Sequence, residues 1–385
     1  MNVAFAAGGT GGHINPALAI ADKLKEVFPD TNILFIGSPD GLEAKLVKKA
    51  GYDFASVKMA GIQRKLTPHN IKLNVQAVHY YLSAGKRIKK IFDDFSPDLV
   101  IGTGGYVTGT VLKTAIKCGI KTALHESNSL PGVSVKMLAP KADLVMLGTE
   151  DAKKHLGECK KCVVTGNPLR NNIPIEEKSA ARKRLGLPDC LTILSAGGSQ
   201  GASRLNDAVV QLLAYEQKKG NINHIHGYGK HGRDTFMQSL EDNGVDAENL
   251  HFIIKEYIDN MYTCMCASDL IITRAGAMTL TEITAIGRAS VLIPYPYAAE
   301  NHQYYNALTL QNANAGRIID DKELTGSVLI DTVNRLADDP ELLKLMSENA
   351  AKLSKRDAAG KILREITELM GIKYRFHLII LSSII

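Results

Sequence analysis

Twice in this 385-residue chain an apolar run stops at a cluster of glycines and a helical pattern begins directly behind it. The first instance is VAFAAGGTGGHINPALAI, Val3–Ile20, and the second is LTILSAGGSQGASRLNDAVVQLL, Leu191–Leu213. Strand, glycine turn and helix in that order form the opening unit of a parallel sheet covered by helices. Apolar runs and helical patterns keep alternating after each. In the first half the runs are Asn32–Gly37, Leu99–Gly105, Thr122–Glu126 and Leu144–Gly148. In the second they are His251–Tyr257, Asp269–Gly276 and Ser290–Pro296. The expected fold is α/β, with two doubly wound, Rossmann-like parallel-sheet domains facing a central cleft.

The turn at Gly166-Asn167-Pro168 and the polar stretch to Lys183 mark the boundary. The expected domains are 1–166 and 167–350. A final helical run from Asp338 to about Ile372 predicts two helices, the last (about 351–372) crossing back onto the first domain. The apolar ending Phe376–Ile385 is only ten residues long, and the expected tail, 373–385, either packs on a domain or touches a membrane surface.

Composition excludes several classes. Apolar residues make up 45% and charged residues 22%, ordinary for a globular chain. A net charge of +6 is too mild to argue for nucleic acid, though clustered charge would suit an anionic surface. No basic leader precedes the first apolar run, and no run reaches the roughly 18 apolar residues of a membrane span. The six cysteines form no secreted framework, and Cys159-Lys-Lys-Cys162 lacks a second pair at zinc spacing. Reduced thiols in the cytoplasm are expected.

Neither glycine loop fits the common nucleotide templates. Ile14 stands where the dinucleotide fingerprint needs glycine, and no Gly-Lys-Ser/Thr ending follows either loop. The physics remains: glycines allow close backbone approach, and a helix start offers free N–H groups to a diphosphate. A third such element is Asp269–Thr284, with Glu282 about one helical turn inside, where a carboxylate can accept from a ribose diol. The polar cluster Glu300–Asn306 follows another strand end and carries amides suited to sugar hydroxyls. His13, at the first helix start, reads as a general base, a positioning or diphosphate-contacting group, or a plain helix-start histidine.

In order, GGTGGH, GTGGYVTG (Gly102–Gly109), HESN (His125–Asn128), GNPLR (Gly166–Arg170), GGSQGA (Gly197–Ala202), TRAGAMTLTEI (Thr273–Ile283) and NHQYYNA (Asn301–Ala307) resemble the MurG family of GT-B glycosyltransferases. The resemblance spans roughly 1–370. It implies inverting transfer of N-acetylglucosamine (GlcNAc) from UDP-GlcNAc to the C4 hydroxyl of N-acetylmuramic acid in lipid I, forming lipid II for peptidoglycan. Lipid I is undecaprenyl-diphosphate-N-acetylmuramoyl-pentapeptide. The resemblance also implies roles. Ser199 with its loop, and Ala277, Met278 and Thr279 at the helix start, hold the phosphates, with Leu280 and Thr281 continuing that segment. Arg170 adds positive charge and Arg274 lines the pocket. Glu282 holds the ribose, and Ile258 meets the uracil, through its backbone rather than its side chain. Gln303 and Asn128 read the GlcNAc hydroxyls. Thr10, Gly11, Gly12 and His13 face the transfer point, with Tyr106 and Glu126 on the acceptor side.

The sequence departs from the family at Thr110, at Pro131–Val135, at Gly287-Arg288-Ala289 and in the tail. No Asp-x-Asp cluster is placed to bind a diphosphate metal, so no cofactor and no protein-bound metal is expected. A lipid acceptor requires a peripheral site on the cytoplasmic side of the membrane. Ile71, Val75, Val78 and Leu82 recur at helical spacing beside Lys86, Arg87, Lys89 and Lys90. This stretch reads either as a surface for anionic lipid or as a helix packed on its own sheet with a solvated basic end. Other cell-wall synthesis proteins are expected partners. Two alternatives stay open: another UDP-sugar-dependent glycolipid synthase, and a non-catalytic UDP-sugar-binding scaffold.

Overall fold

The structure, a computed structural model, describes residues 1–59, 67–170 and 175–372, and for 68–79, 81 and 82 the backbone alone. The chain divides into two units, Met1–Asn171 with Arg356–Ile385, and Asn172–Lys355.

Unit 1 runs β1 (Asn2–Ala6), α1 (Gly11–Val27), β2 (Asn32–Gly37), α2 (Leu42–Lys49), β3 (Asp53–Ser56), α3 (Pro68–Phe95), β4 (Leu99–Gly102), α4 (Gly105–Lys117), β5 (Lys121–Glu126), α5 (Val133–Leu138), β6 (Leu144–Leu147), α6 (Glu150–Lys153) and β7 (Cys162–Val164). Unit 2 runs α7 (Lys178–Leu185), β8 (Leu191–Ala196), α8 (Ser203–Lys219), β9 (Ile222–Gly227), α9 (Phe236–Asp242), β10 (Phe252–Lys255), α10 (Met261–Ala267), β11 (Leu270–Thr273), α11 (Ala277–Ile286), β12 (Ala289–Leu292), α12 (His302–Asn312), β13 (Gly316–Ile318), α13 (Gly326–Ala337) and α14 (Pro340–Leu353). α15 (Ala358–Met370) belongs to unit 1.

Each unit holds one wholly parallel sheet. The strand orders are β3-β2-β1-β4-β5-β6-β7 and β10-β9-β8-β11-β12-β13. In unit 1 the order reverses between β1 and β4, and in unit 2 between β8 and β11. Helices leave a parallel sheet on opposite faces at such a switch point, so the loops behind the two strands part and open a crevice. The glycine loops sit directly behind β1 and β8.

The apolar runs are strands because both faces are covered. Val3, Phe5, Phe35 and Ile101 point to one side of the first sheet and pack with Ile14, Leu18 and Leu24 of α1. Phe5 and Phe35 stack at 4.9 Å between centroids. Ile362, Leu363 and Ile366 of α15 join the same core, so the last helix closes the unit that β1 opened. Ala4, Val100, Leu124 and Val145 face the other side, with Val107 and Val111 of α4 and Ile88 of α3. No helix among the described residues is long and apolar enough to cross a membrane.

Ile366 is fully buried between α1 and the sheet. Truncation to alanine removes that volume without easy collapse and should cost about 2–5 kcal/mol. Urea unfolding of Ile366→Ala should show a lowered midpoint; an unchanged midpoint would mean that α15 contributes no packing to unit 1.

Candidate active site

In unit 1, two loops meet behind β1 and β4. Gly105 has φ +82°, and a Cβ there would collide with the Gly8 carbonyl oxygen, so the two backbones touch only because side chains are missing. α1 and α4 both start there, with no hydrogen bond from an N-cap side chain. His13 lies in the first turn of α1, half-buried, its ring so close to Gly104 that a Cβ there would collide with it. Its Nδ1 is 3.1 Å from the Gly8 carbonyl oxygen, and Thr103 Oγ1 donates to the His13 carbonyl at 2.7 Å. A carbonyl can only accept, so Nδ1 carries the proton. In the neutral ring this leaves a lone pair on Nε2, the form a general base needs.

The same loop is held from behind by Glu43, 1% exposed at the start of α2. Its carboxylate accepts from Gly9 N at 3.3 Å and Ser38 N at 3.1 Å, and Tyr106 Oη is 3.4 Å from Oε1. Burial raises the Tyr106 phenol above its ordinary value, with the Glu43 charge adding to it. The first glycine loop therefore already spends one of its N–H groups on an internal anion.

In unit 2 the second glycine loop likewise spends one N–H internally, Gly201 N donating to Gly198 O at 2.9 Å. The Ser199 and Gln200 N–H groups have no acceptor among the described residues. α8 and α11 begin with no hydrogen bond from an N-cap side chain. Two open helix starts beside free loop amides can receive an anion such as a diphosphate. Glu282, on α11, is half-buried, and burial pushes its carboxyl up to about 7. Tyr262 Oη donates to its Oε1 at 3.2 Å and works against that rise. Gln303 accepts from Tyr295 N at 2.9 Å through Oε1, which leaves its amide NH2 unspent among the described residues. The Ile258 side chain is buried in the core of this unit, so only its backbone can meet a ligand. Its neighbour Tyr257 is 60% exposed.

Residues 3–147 match the family model described as the glycosyltransferase family 28 N-terminal domain, and residues 192–362 match the family 28 C-terminal domain. A curated relative from Desulforamulus reducens, named UDP-N-acetylglucosamine–N-acetylmuramyl-(pentapeptide) pyrophosphoryl-undecaprenol N-acetylglucosamine transferase, is 40% identical over 372 residues, 96% of this chain and 99% of the relative. One of the same name from Desulfitobacterium hafniense is 41% identical, covering 94% and 98%. The crystal structure of Acinetobacter baumannii MurG superposes with a TM-score of 0.77 at 27% identity, covering 95% of this chain and 99% of that one. The chain belongs to glycosyltransferase family 28 and, within it, to the MurG family.

Membership does not make every family motif a free ligand-binding group. Arg170 does not stand as a spare cation: its Nε bonds Asp22 Oδ2 on α1 at 2.8 Å, and Tyr52 holds the other Asp22 oxygen at 2.6 Å. Arg274 is mostly buried, and its Nη1 donates to Ile293 O, Pro294 O and Asp321 Oδ1 at 3.2, 3.3 and 2.6 Å. It braces the loop behind β12 rather than presenting a free charge. Glu126 is buried, accepting from Asn128 N, Asn128 Nδ2 and Gly132 N, each at 2.9 Å. Both of its oxygens serve their own loop, and Asn128 Nδ2 is engaged with it. His125, beside them, is driven down to about 4 by burial and stays neutral, its Nε2 3.1 Å from Gly166 O.

Three helpers were not singled out from the sequence: Glu43, Tyr262 and Thr103. An acidic residue in the first turn of a helix, as Glu43 is, reads as favourable to the helix dipole. Nothing local indicates that it reaches back to another loop.

Glu282 supplies a pH prediction. The ionised carboxylate is the stronger acceptor for a ribose diol, and a group raised from 4.5 to about 7 is partly protonated near neutrality. KM for UDP-GlcNAc should fall as pH rises from about 6 to 8, and Glu282→Gln should flatten the profile. The same burial costs stability as pH climbs through the window between 4.5 and about 7. A KM profile identical in the wild type and Glu282→Gln would remove Glu282 from donor binding.

Proposed function

We propose that this chain transfers GlcNAc from UDP-GlcNAc to the C4 hydroxyl of N-acetylmuramic acid in lipid I, with inversion at the anomeric carbon, to give lipid II and UDP. The observation that carries this reading is the near-full-length match to transferases of that name. The open helix starts at both switch points support it. The acceptor hydroxyl gives its proton to His13 Nε2 as its oxygen attacks the anomeric carbon. The bond to the β-phosphate oxygen breaks, and the departing charge falls on amides at Ser199 and Gln200 and on the start of α11. Glu282 holds the ribose, the Ile258 backbone meets the uracil, and the free amide of Gln303 reads a sugar hydroxyl. Thr10, Gly11 and Gly12 carry His13 to the reacting centre. These N–H donors meet the diphosphate charge, so no metal is assigned a part, and turnover should survive EDTA.

A radiolabel assay tests the activity: UDP-GlcNAc and a lipid I analogue should give disaccharide-lipid, while UDP-galactose should not. Product from UDP-galactose alone would favour a different glycolipid synthase. His13→Ala should lower kcat by about 10²–10⁴ and leave UDP affinity intact. Equal loss of both would make His13 a binding group instead.

We also place the enzyme on the cytoplasmic face of the membrane, held at an anionic lipid surface. The observation behind this is an exposed basic stretch of α3: Lys86, Arg87, Lys89 and Lys90 all face solvent, while Ile88 between them is buried. Lys89 is partly neutralised by Asp93 at 3.0 Å. The side chains of Ile71, Val75, Val78 and Leu82 lie outside the described residues. Each basic residue near such a surface contributes about 1 kcal/mol. Sedimentation with anionic vesicles at low salt should be lost when Lys86, Arg87 and Lys90 are changed to glutamate; binding that is unchanged would place the contact elsewhere. Contacts with other cell-wall synthesis proteins would be made from the same membrane-bound position.

A further inference from the structure

Beneath the second glycine loop, unit 2 buries a polar cluster that donor binding does not use. Ser195 on β8, His224 and His226 on β9, and Glu216 on α8 are all 0–1% exposed. Ser195 Oγ lies 2.7 Å from His224 Nε2 and 2.6 Å from His226 Nδ1, and His224 Nδ1 lies 2.7 Å from Glu216 Oε2. A hydroxyl has one proton, so Ser195 donates to one imidazole and accepts from the other. The chain thereby fixes the proton order and the plane of both rings. Burial drives His226 far below its ordinary value, so its ring is neutral.

The plane of His226 matters because a ring stack starts on it. His226 stacks on Phe236 at 4.8 Å, and Phe236 stacks on Tyr228 at 5.1 Å. Tyr228 opens the turn that grips the glycine loop. Lys230 N donates to Ser199 O at 3.3 Å, His231 N to Gln200 O at 2.8 Å, and Asn206 Nδ2 to Tyr228 O at 2.9 Å. Gly201 and Gly229 allow the two backbones to meet, since a Cβ on Gly201 would collide with Tyr228 O. A trans peptide is planar, with its carbonyl and N–H on opposite sides. Holding the Ser199 carbonyl against the turn therefore turns the Gln200 N–H away from it, to the open side of the loop.

We propose that Ser195, through His226 and the Phe236–Tyr228 stack, is a positioning residue that aims the Gln200 amide at the donor's diphosphate. This rests on reading the second glycine loop as the diphosphate site. Ser195 touches no substrate and acts only through the turn.

Calorimetric titration with UDP and with uridine tests it, because uridine shares the base and ribose contacts and lacks the phosphates. The wild type should bind UDP more tightly than uridine. Ser195→Ala should weaken UDP by about tenfold and leave uridine unchanged. Phe236→Leu breaks the stack without leaving a buried polar group unpaired, should show the same selective loss, and carries the test if Ser195→Ala does not fold. Leu329→Ala opens a cavity in the same core from α13, which contributes no ring to the stack. It should lower the melting temperature and keep the UDP-to-uridine ratio. Equal weakening of both ligands in folded Ser195→Ala or Phe236→Leu, or no weakening, overturns the proposal. So does a ratio that falls as far in Leu329→Ala. A wild type with no preference for UDP would instead overturn the assignment of the loop itself.

Discussion

An α-helix begins with N–H groups that have no partner inside it, and a parallel sheet delivers the helices that follow its strands from one edge. In each unit of this chain that edge also carries the strand-order reversal. α1 and α4 therefore start side by side in unit 1, and α8 and α11 in unit 2, without hydrogen bonds from N-cap side chains. Uncapped starts are a standing cost to the fold and a standing attraction for anions. The rest of the site elaborates that condition.

The two units resolve it differently. In unit 1 the protein supplies its own anion, Glu43, to the Gly9 N–H and sets a histidine with a defined tautomer in the same turn. In unit 2 the Ser199 and Gln200 amides have no acceptor among the described residues, and the carboxylate, Glu282, stands on a helix where burial raises its pKa. One loop suits proton transfer and the other suits charge on a leaving diphosphate. The difference comes from the groups behind each loop, since both are glycine turns of nearly the same composition.

Buried polar residues explain where the sequence was hard to read. β9 is buried along its whole length, yet it reads Ile-Asn-His-Ile-His-Gly, with neither an apolar run nor a clean alternation. Its polar side chains have partners on β8 and α8, 29 and 8 residues back in the chain, and strand or helix periodicity carries no trace of those pairings. The apolar strands β1, β2, β4, β5, β6, β8, β11 and β12 were legible because each is a short run closed by turn residues. Arg170 and Arg274 were legible as charges but not as partners: Asp22 and Asp321 reach them only in the folded chain.

By itself, the sequence determined the two parallel-sheet units, the loops at their switch points, the family, and the residue types available for chemistry. Period, turn residues and motif order are local properties, and they survive in a one-dimensional reading. Only the tertiary structure decided which of those groups remain free. Glu126 is consumed by its own loop, Arg274 by a strand end and the Gly9 N–H by Glu43, whereas the Ser199 and Gln200 N–H groups have no acceptor among the described residues. Whether a polar group is spent depends on what the fold brings within about 3 Å of it, and that distance is set by packing between segments remote in the chain.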